Sequence, residues 1–285
     1  MPMPRNYQQR RMNYRARNTE QDSDTDDTHS VHSSLSHGAS TLFSHDDRSS
    51  VSSGPVSVSH ALPHRGTGLR FRPENMYPDR FTLADIEVPR GPWVYLACPG
   101  SRRKCPHCKV HVSHSDHVVV AVDGACSKNA KDGARSSYGV FWGHNNVLNT
   151  AVPVEGENHH TNQVAELRAC MRALLDVVHV KSLFEDQGGA LSVVVIKSDS
   201  EYLVRGVTEW LPKWKRNGWK NSRGLDVANW EHFKAIERLT EDLERQKIIV
   251  KFWHVPRRNN RDADAMAKAV LRGVWNRGLG LLPPF

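Results

Sequence analysis

An unbroken apolar run at residues 118–122 does most to limit what this chain can fold into. Its five residues, four of them valine, are typical of a strand that is buried on both faces of a sheet. An acidic residue, Asp123, follows where the run ends. A buried carboxylate is costly unless it is paired or binds a metal ion, so Asp123 is a candidate functional residue. The alternative is a carboxylate that caps a turn before Gly124.

The composition places the core of the 285-residue chain in its second part, because all eight tryptophans lie at or after Trp93. A net charge of +8 favours a polyanionic partner, with a merely soluble basic protein as the alternative. Five cysteines without a signal-peptide pattern predict reduced thiols and an intracellular location, in the nucleus or cytoplasm, with mitochondria not excluded. No apolar run reaches the ~18 residues of a membrane helix, so no membrane partner is expected.

The chain divides by composition into four segments. Residues 1–66 are predicted to be a disordered tail, because Ser, Thr, His and Asp dominate and no hydrophobic period holds. Residues 67–116 form a lead-in segment rich in proline and arginine. The main domain is expected at 117–275, followed by a short C-terminal tail at 276–285.

The lead-in segment carries residues that suit a small zinc-binding element. Cys98, Cys105 and Cys108 lie close together in the sequence, and His111 and His114 follow them. Three thiolates and one imidazole can supply the four tetrahedral ligands of a structural zinc ion. The alternative is a set of reduced thiols on a loop, because one Cys-x2-Cys pair is only half of the usual pattern.

The main domain shows alternating strand and helix patterns. Short connections between the first three strands indicate an antiparallel meander, and the later helices separate single strands. This order predicts an α/β protein whose mixed sheet has five strands and is flanked by helices. The strands are expected at 118–123, 138–142, 147–152, 191–196 and 248–254, and the helices at 161–178, 200–216, 226–244 and 262–271.

Three further acidic residues fall where strands or helices can direct them towards the first. Glu166 follows Asn162 and Gln163 on one side of the first turns of a predicted helix. Asp199 comes just after the fourth predicted strand, and Asp264 begins the last helix. Because carboxylate oxygens are the ligands that hard divalent cations prefer, these residues predict a metal site.

Four segments that contain these acids resemble the signature blocks of type 1 ribonuclease H, in the same order and at similar spacing. The resemblance implies a sheet with strand order 3-2-1-4-5. It implies hydrolysis of the RNA strand of RNA/DNA hybrids with two Mg²⁺ ions, for which Mn²⁺ is a substitute. It makes Asp123, Glu166, Asp199 and Asp264 the metal ligands. The segments are Asp-Gly-Ala-Cys at 123–126, Thr-Asn-Gln-Val-Ala-Glu-Leu at 161–167, Ser-Asp-Ser at 198–200 and Asn-Arg-Asp-Ala-Asp at 260–264.

The same resemblance implies contacts with both strands of a hybrid. Asn129, Asn162 and Gln163 match positions that contact RNA, where the 2′-hydroxyl distinguishes RNA from DNA. Alternatives for two of them are structural, since Asn129 suits a turn and Asn162 suits a helix cap. The positions that match contacts with the DNA strand are Thr161, Asn229, Trp210, Trp214 and Ser222.

Residues 213–223 form a segment with five basic residues and no acid. We call it the basic segment. Trp214 and Trp219 lie among its charges, and this combination is typical of binding to phosphates and stacking on sugars or bases. The alternative is a solvated helix face. The segment resembles the basic handle of the ribonuclease H family.

The chain departs from the family between the last strand and the last helix. The histidine-containing loop that many members carry there is replaced by a shorter piece, residues 255–260, without histidine. The resemblance is therefore to a eukaryotic, fungal-type variant. Arg257 and Arg258 occupy this piece and are expected to slow product release, or else to be simply solvated. A monomer is expected, and the alternatives in function are a non-catalytic hybrid-binding module and another nuclease of the same superfold.

Overall fold

The structure, a computed structural model, describes residues 68–157 and 159–273. The predicted tails at 1–66 and 276–285 lie outside the described residues. The described chain contains one sheet of seven strands, with helices packed against it. The strands are β1 (Glu87–Arg90), β2 (Trp93–Ala97), β3 (Ser113–Ser127), β4 (Arg135–Phe141), β5 (Thr150–Pro153), β6 (Val193–Ser198) and β7 (Ile249–His254). The α-helices are α1 (Leu83–Ile86), α2 (Asn162–Asp186), α3 (Glu201–Arg205), α4 (Leu211–Arg216), α5 (Trp230–Arg245) and α6 (Arg261–Leu271).

Strand β3 is the centre of the sheet. It pairs antiparallel with β4 and parallel with β6, while β5 extends the β4 side and β7 extends the β6 side. The order of these five strands, β5-β4-β3-β6-β7, confirms the expected order 3-2-1-4-5. Residues 118–122 are all buried, as a strand covered on both faces requires. The turn considered after Asp123 is wrong, because β3 continues through Gly124 to Ser127.

Two strands that the sequence did not predict belong to the lead-in segment. Strand β2 pairs with the first half of β3, on the edge that β4 occupies further along, and β1 pairs with β2. The segment also reaches the far side of the sheet, where the amide of Phe71 donates to the carbonyl of Phe252 at 2.8 Å. The sheet of the main domain therefore includes residues of the lead-in segment.

Helix α2 is longer than predicted, and its buried face is only partly the one that helical spacing predicts. Val164, Leu167 and Leu174 are buried as this spacing predicts, whereas Leu175 and Val178 are 57% and 48% exposed. The buried face also includes three alanines with no exposed surface, Ala165, Ala169 and Ala173. Small side chains let the helix axis approach the sheet closely, so the positions of the large apolar residues identified only part of the packed face.

The sequence predicted no membrane helix, because no apolar run is long enough to span a bilayer. Within residues 68–157 and 159–273, no helix is both long and apolar enough to cross a bilayer.

Candidate active site

Asp123 and Glu166 are brought together by a close contact between β3 and α2. A Cβ atom on Gly124 would lie 2.3 Å from the backbone nitrogen of Glu166 and 2.6 Å from the carbonyl carbon of Ala165. Only glycine permits this approach, because real side chains essentially never come so near backbone atoms. The glycine that suggested a turn in the sequence is therefore the contact that places Glu166 beside Asp123.

Asp199 follows β6, which lies parallel to β3 and ends one residue after Lys197, the partner of Ala121, so Asp199 comes level with Asp123. Its position is fixed by Asn260, which is buried. The Asn260 Nδ2 donates to Asp199 Oδ1 at 2.7 Å and to the backbone oxygen of Val122 at 3.0 Å. Asn260 thus ties Asp199 to the end of the apolar run, directly before Asp123. The sequence placed Asn260 in the segment at 260–264 but did not predict that it would orient Asp199.

Asp264 reaches the site through the packing of α6 on β4. Gly139 lies opposite Asp123 in the β3–β4 ladder, and a Cβ on Gly139 would lie 2.5 Å from the carbonyl oxygen of Ala263. The first turn of α6, with Asp264, therefore crosses the sheet beside Asp123. The Ser137 hydroxyl donates to the Ala267 carbonyl at 2.6 Å and holds the next turn of the helix.

Burial and mutual repulsion raise the proton affinity of two of the acids. Burial, followed by the charges of Asp199, Asp264 and Glu166, raises the pKa of Asp123 to about 8. Burial also raises the pKa of Glu166 to about 7, although a hydrogen bond from the Ser200 hydroxyl opposes the shift. Ser200 is the N-cap of α3, so the start of that helix also orients Glu166.

Asp264 is held by two cations. Burial alone would raise its pKa, but Lys268, whose Nζ lies 2.8 Å from Asp264 Oδ2, and Arg257, which donates to Oδ1, together lower it. Arg257 comes from the short piece that replaces the histidine loop, and its charge also acts on Asp123. We call Asp123, Glu166, Asp199 and Asp264 the carboxylate cluster. Its negative charge is thus partly neutralised by Arg257.

The carboxylate cluster offers the oxygen ligands that a divalent cation needs, although the carboxylate oxygens of no three of its residues lie within 4.8 Å of one another in the described part of the chain. The Asp123 Oδ2 is buried, and within the described residues no hydrogen-bond partner reaches it. An orphaned buried carboxylate oxygen is rare in proteins unless an ion or a water completes it. The donors are all carboxylate oxygens, the ligands of Mg²⁺ and Mn²⁺. Asp123, Glu166, Asp199 and Asp264 are therefore the residues that would hold the metal.

Of the residues predicted to contact RNA, Asn162 and Gln163 begin α2, and Asn129 lies beside them in the turn after β3. Thr161, predicted to contact DNA, is the N-cap, and its Oγ1 accepts from the Val164 amide at 3.1 Å. The cap considered at Asn162 is therefore wrong, because Asn162 is the first helical residue. Its amide donates to Asn129 Oδ1 at 2.9 Å, so Asn129 fixes the entry to the helix. The side chain of Asn162 is exposed and that of Gln163 is partly exposed.

The residues predicted to contact DNA surround a group of aromatic rings. Trp214 lies with its ring centroid 5.8 Å from that of Trp210 and 5.1 Å from that of Phe233. Asn229, before α5, has a left-handed backbone with φ 57°, and its Nδ2 donates to the Tyr202 hydroxyl at 3.1 Å. The tryptophans are only partly exposed, so packing on the core holds them at the surface. Ser222, eight residues after Trp214 in the sequence, is exposed.

Four of the five basic residues of the basic segment differ in whether they form ion pairs with acids of the chain. Two of them are paired: Lys215 Nζ lies 2.6 Å from Glu237 Oε1, and Lys220 Nζ lies 2.6 Å from Asp226 Oδ1. Lys213 and Arg216 are also exposed, but no ion pair among the described residues involves them. These two cations are the ones most available to an external phosphate.

The four ligands predicted for zinc are not gathered. Cys105 and Cys108 are exposed, whereas His111 is buried, with its Nδ1 3.0 Å from the Ser101 hydroxyl. The ring of His114 lies 4.7 Å from that of His117. In the described part of the chain, no three ligand atoms from Cys98, Cys105, Cys108, His111 and His114 lie within 4.8 Å of one another.

The described chain is an α/β protein with four carboxylates around the central strand of a mixed sheet. The RNase H family model matches residues 115–272, more than half of the 285 residues, so the chain belongs to the RNase H family.

Curated relatives are similar to this chain over slightly more than half of its length. Human "Ribonuclease H1" is 34% identical over 157 residues, which are 54% of this chain and 49% of that protein. "Ribonuclease H" of Schizosaccharomyces pombe is 36% identical over 157 residues, 55% of this chain and 54% of that protein. The chain thus spans about half the length of these relatives. "Ribonuclease H" of Coxiella burnetii is 32% identical over 167 residues, 57% of this chain and 94% of that protein.

Proposed function

We propose that this protein is an endonuclease that hydrolyses the RNA strand of RNA/DNA hybrids, using two Mg²⁺ ions and leaving a 3′-hydroxyl. Mn²⁺ is the expected substitute. When bound, the ions supply an activated water and stabilise the leaving oxygen. A monomer and an intracellular location, as expected from the sequence, are part of the same proposal.

The observation that carries the proposal is the buried, unpartnered Oδ2 of Asp123 within the carboxylate cluster. The chain maintains this arrangement at a cost, since burial and repulsion hold the pKa of Asp123 far above its usual range. Asn260 and Ser200 orient two of the other acids by hydrogen bonds. Such fixed, desolvated oxygens are what binding and orienting a divalent cation require.

The two alternatives are disfavoured by different features. A non-catalytic hybrid-binding module gains nothing from four carboxylates near the phosphates it must attract. A nuclease of the same superfold with another substrate has no need for polar side chains that can read a 2′-hydroxyl. Here exposed Asn162 and partly exposed Gln163 begin α2, four and three residues before the metal ligand Glu166.

One assay distinguishes these functions. A labelled RNA/DNA hybrid, duplex DNA and duplex RNA of one sequence are each incubated with the full chain and Mg²⁺, and again with chelator. We expect internal cleavage of the RNA in the hybrid only, and none with chelator. Binding without cleavage would support the binding module, and cleavage of duplex DNA would support the other nuclease.

The basic segment gives a prediction about salt. Affinity for a hybrid should fall with salt concentration, and Lys213→Ala with Arg216→Ala should lower the slope of log affinity against log salt by about 1–2 units. Lys215→Ala with Lys220→Ala is the matched control, because both lysines are already paired with acids. It should change the slope less. Equal slopes for both double variants and the unaltered protein would move the phosphate contacts elsewhere.

Arg257 gives a prediction about product release. Its guanidinium binds Asp264 in the carboxylate cluster, so it is placed to hold the cut phosphate as well. We expect a burst of one cleavage per enzyme and then slow turnover in rapid-quench experiments. Arg257→Ala should speed the slow phase at least twofold and change the burst less. Arg258→Ala, the exposed neighbour, is the control. Equal single-turnover and steady-state rates in the unaltered protein would contradict this role.

A further inference from the structure

We propose that His114, Asp116 and His117 form a second metal site, separate from the carboxylate cluster, for a divalent transition ion such as Zn²⁺. The three residues lie at the start of β3. Asp123 is six residues beyond His117 on this strand, or ~20 Å at the rise of an extended chain. The site therefore shares no residue with the candidate active site.

The ligand atoms already converge. One atom from each of the three side chains lies within 4.8 Å of the other two, and this is the one such group of three or more within residues 68–157 and 159–273. The Nδ1 of His117 lies 2.7 Å from Asp116 Oδ1, and the rings of His114 and His117 face each other at 34°. Because a neutral imidazole can carry its proton on either nitrogen, His117 can present Nδ1 to an ion after a change of tautomer.

A bulge in β3 explains how neighbouring residues come to share one side of a strand. In the β2–β3 ladder, Tyr95 pairs with Val118 and Ala97 pairs with Ser113. One residue of β2 therefore faces four residues of β3, and all three ligands are among those four. In a regular strand, Asp116 and His117 would point to opposite faces. Bulges redirect side chains in this way and are common next to functional sites.

The chemistry of the three side chains selects the ion. Two imidazoles and one carboxylate suit Zn²⁺, Co²⁺, Ni²⁺ and Cu²⁺ better than Mg²⁺, which prefers oxygen ligands. His117 is buried, whereas His114 and Asp116 are partly exposed, so an ion can enter from solvent and keep water on its remaining positions. The Ser192 amide donates to the backbone oxygen of Asp116 at 2.9 Å, which fixes the backbone that carries these ligands.

This site replaces the zinc site expected from the cysteines. The sequence placed His114 with Cys98, Cys105 and Cys108, but the fold turns His114 towards His117 instead. The two assignments differ in ligand type, so they can be separated without measuring activity.

The test uses the full chain, freed of metal with chelator and then titrated with Zn²⁺ against a chromophoric competitor. We expect His114→Gln and Asp116→Asn each to weaken one class of Zn²⁺ site at least tenfold. His144→Gln, an exposed histidine in the turn after β4, is the control and should bind as the unaltered protein does. The six histidines within residues 29–64 are the same in every variant, so they do not affect the comparison.

Two further measurements decide between the imidazole–carboxylate site and a thiolate site. Co²⁺ bound to the unaltered protein should show no thiolate-to-metal charge-transfer bands, and Cys105→Ser with Cys108→Ser should leave Zn²⁺ affinity unchanged. Zn²⁺ should also raise the melting temperature of the unaltered protein more than that of Asp116→Asn, because the ion binds only the folded bulge. Thiolate bands, loss of binding in the cysteine variant, or unchanged binding in both His114→Gln and Asp116→Asn would overturn the proposal.

Discussion

Asp199→Asn is expected to reduce cleavage of the hybrid by on the order of 10³-fold or more while hybrid affinity stays within about twofold. The substitution removes a charge that the metal needs. It keeps the Oδ1 that accepts from Asn260 Nδ2 at 2.7 Å, so the surrounding structure is retained. Affinity should persist because the basic segment, and not the carboxylate cluster, provides the cations that meet phosphate. Gel-shift titration and single-turnover cleavage in Mg²⁺ measure the two effects.

A matched control is available at the other end of α2. Asp186 is exposed and lies 20 residues after Glu166, or ~30 Å along a helix, so Asp186→Asn should leave cleavage and binding unchanged. Substantial Mg²⁺-dependent cleavage by Asp199→Asn would show that Asp199 is not a metal ligand.

The second large effect concerns stability. Asp123→Asn should abolish cleavage and, in the absence of metal, raise the free energy of unfolding by roughly 2–5 kcal/mol near pH 7.5. Burial and three neighbouring acids raise the pKa of Asp123 from 3.8 to about 8 in the folded protein. The unfolded chain has no such shift, so near pH 7.5 folding must either protonate Asp123 or bury its charge, and both cost free energy. A neutral asparagine removes that cost.

The direction of the pH dependence follows from the same shift. Between about pH 4 and pH 8 the folded state retains a proton that the unfolded state has lost, so the free energy of unfolding should fall as pH rises through this window. In Asp123→Asn this contribution should disappear. Urea denaturation with chelator at pH 5 and pH 8 measures both proteins. Mg²⁺ should stabilise the unaltered protein and have little effect on the variant. A variant less stable at pH 8 than the unaltered protein would contradict this account.

Much of the fold was predictable because its signals are local. The apolar run at 118–122 and the strand and helix patterns that follow predicted the five strands, while their order came from the resemblance to type 1 ribonuclease H. The ends of elements were less predictable. Val147 was placed in a strand but is 90% exposed, since β5 begins only at Thr150. Strands β1 and β2 were missed because both are short and depend on pairing with residues far along the chain, which no local pattern records.

Some residues of the candidate site could also be identified from local sequence signals, whereas others depend on long-range contacts. Asp123 ends an apolar run, Asp199 follows a strand, and Glu166 and Asp264 lie near the starts of helices, and those positions can be read from the sequence. Asn260 and Ser200 orient two of these acids through long-range contacts. Asn260 contacts Asp199, 61 residues away in the sequence, and Ser200 contacts Glu166, 34 residues away. Arg257 likewise reaches Asp264 only because the piece before α6 folds back on the cluster. A serine directly after Asp199, at the start of a helix, was the one local signal for such a role.

The placement of β2 along β3 has a consequence for how this domain can be isolated. One long edge of β3 is covered in two parts, by β2 over its first half and by β4 over its second. A fragment that starts at residue 117 would lack β2 and leave the amide and carbonyl groups near Val118 open on a flat, valine-rich edge. Such edges pair with copies of themselves and drive aggregation. By covering this edge, the lead-in segment prevents the sheet from pairing with another copy. Recombinant fragments should therefore begin before residue 68.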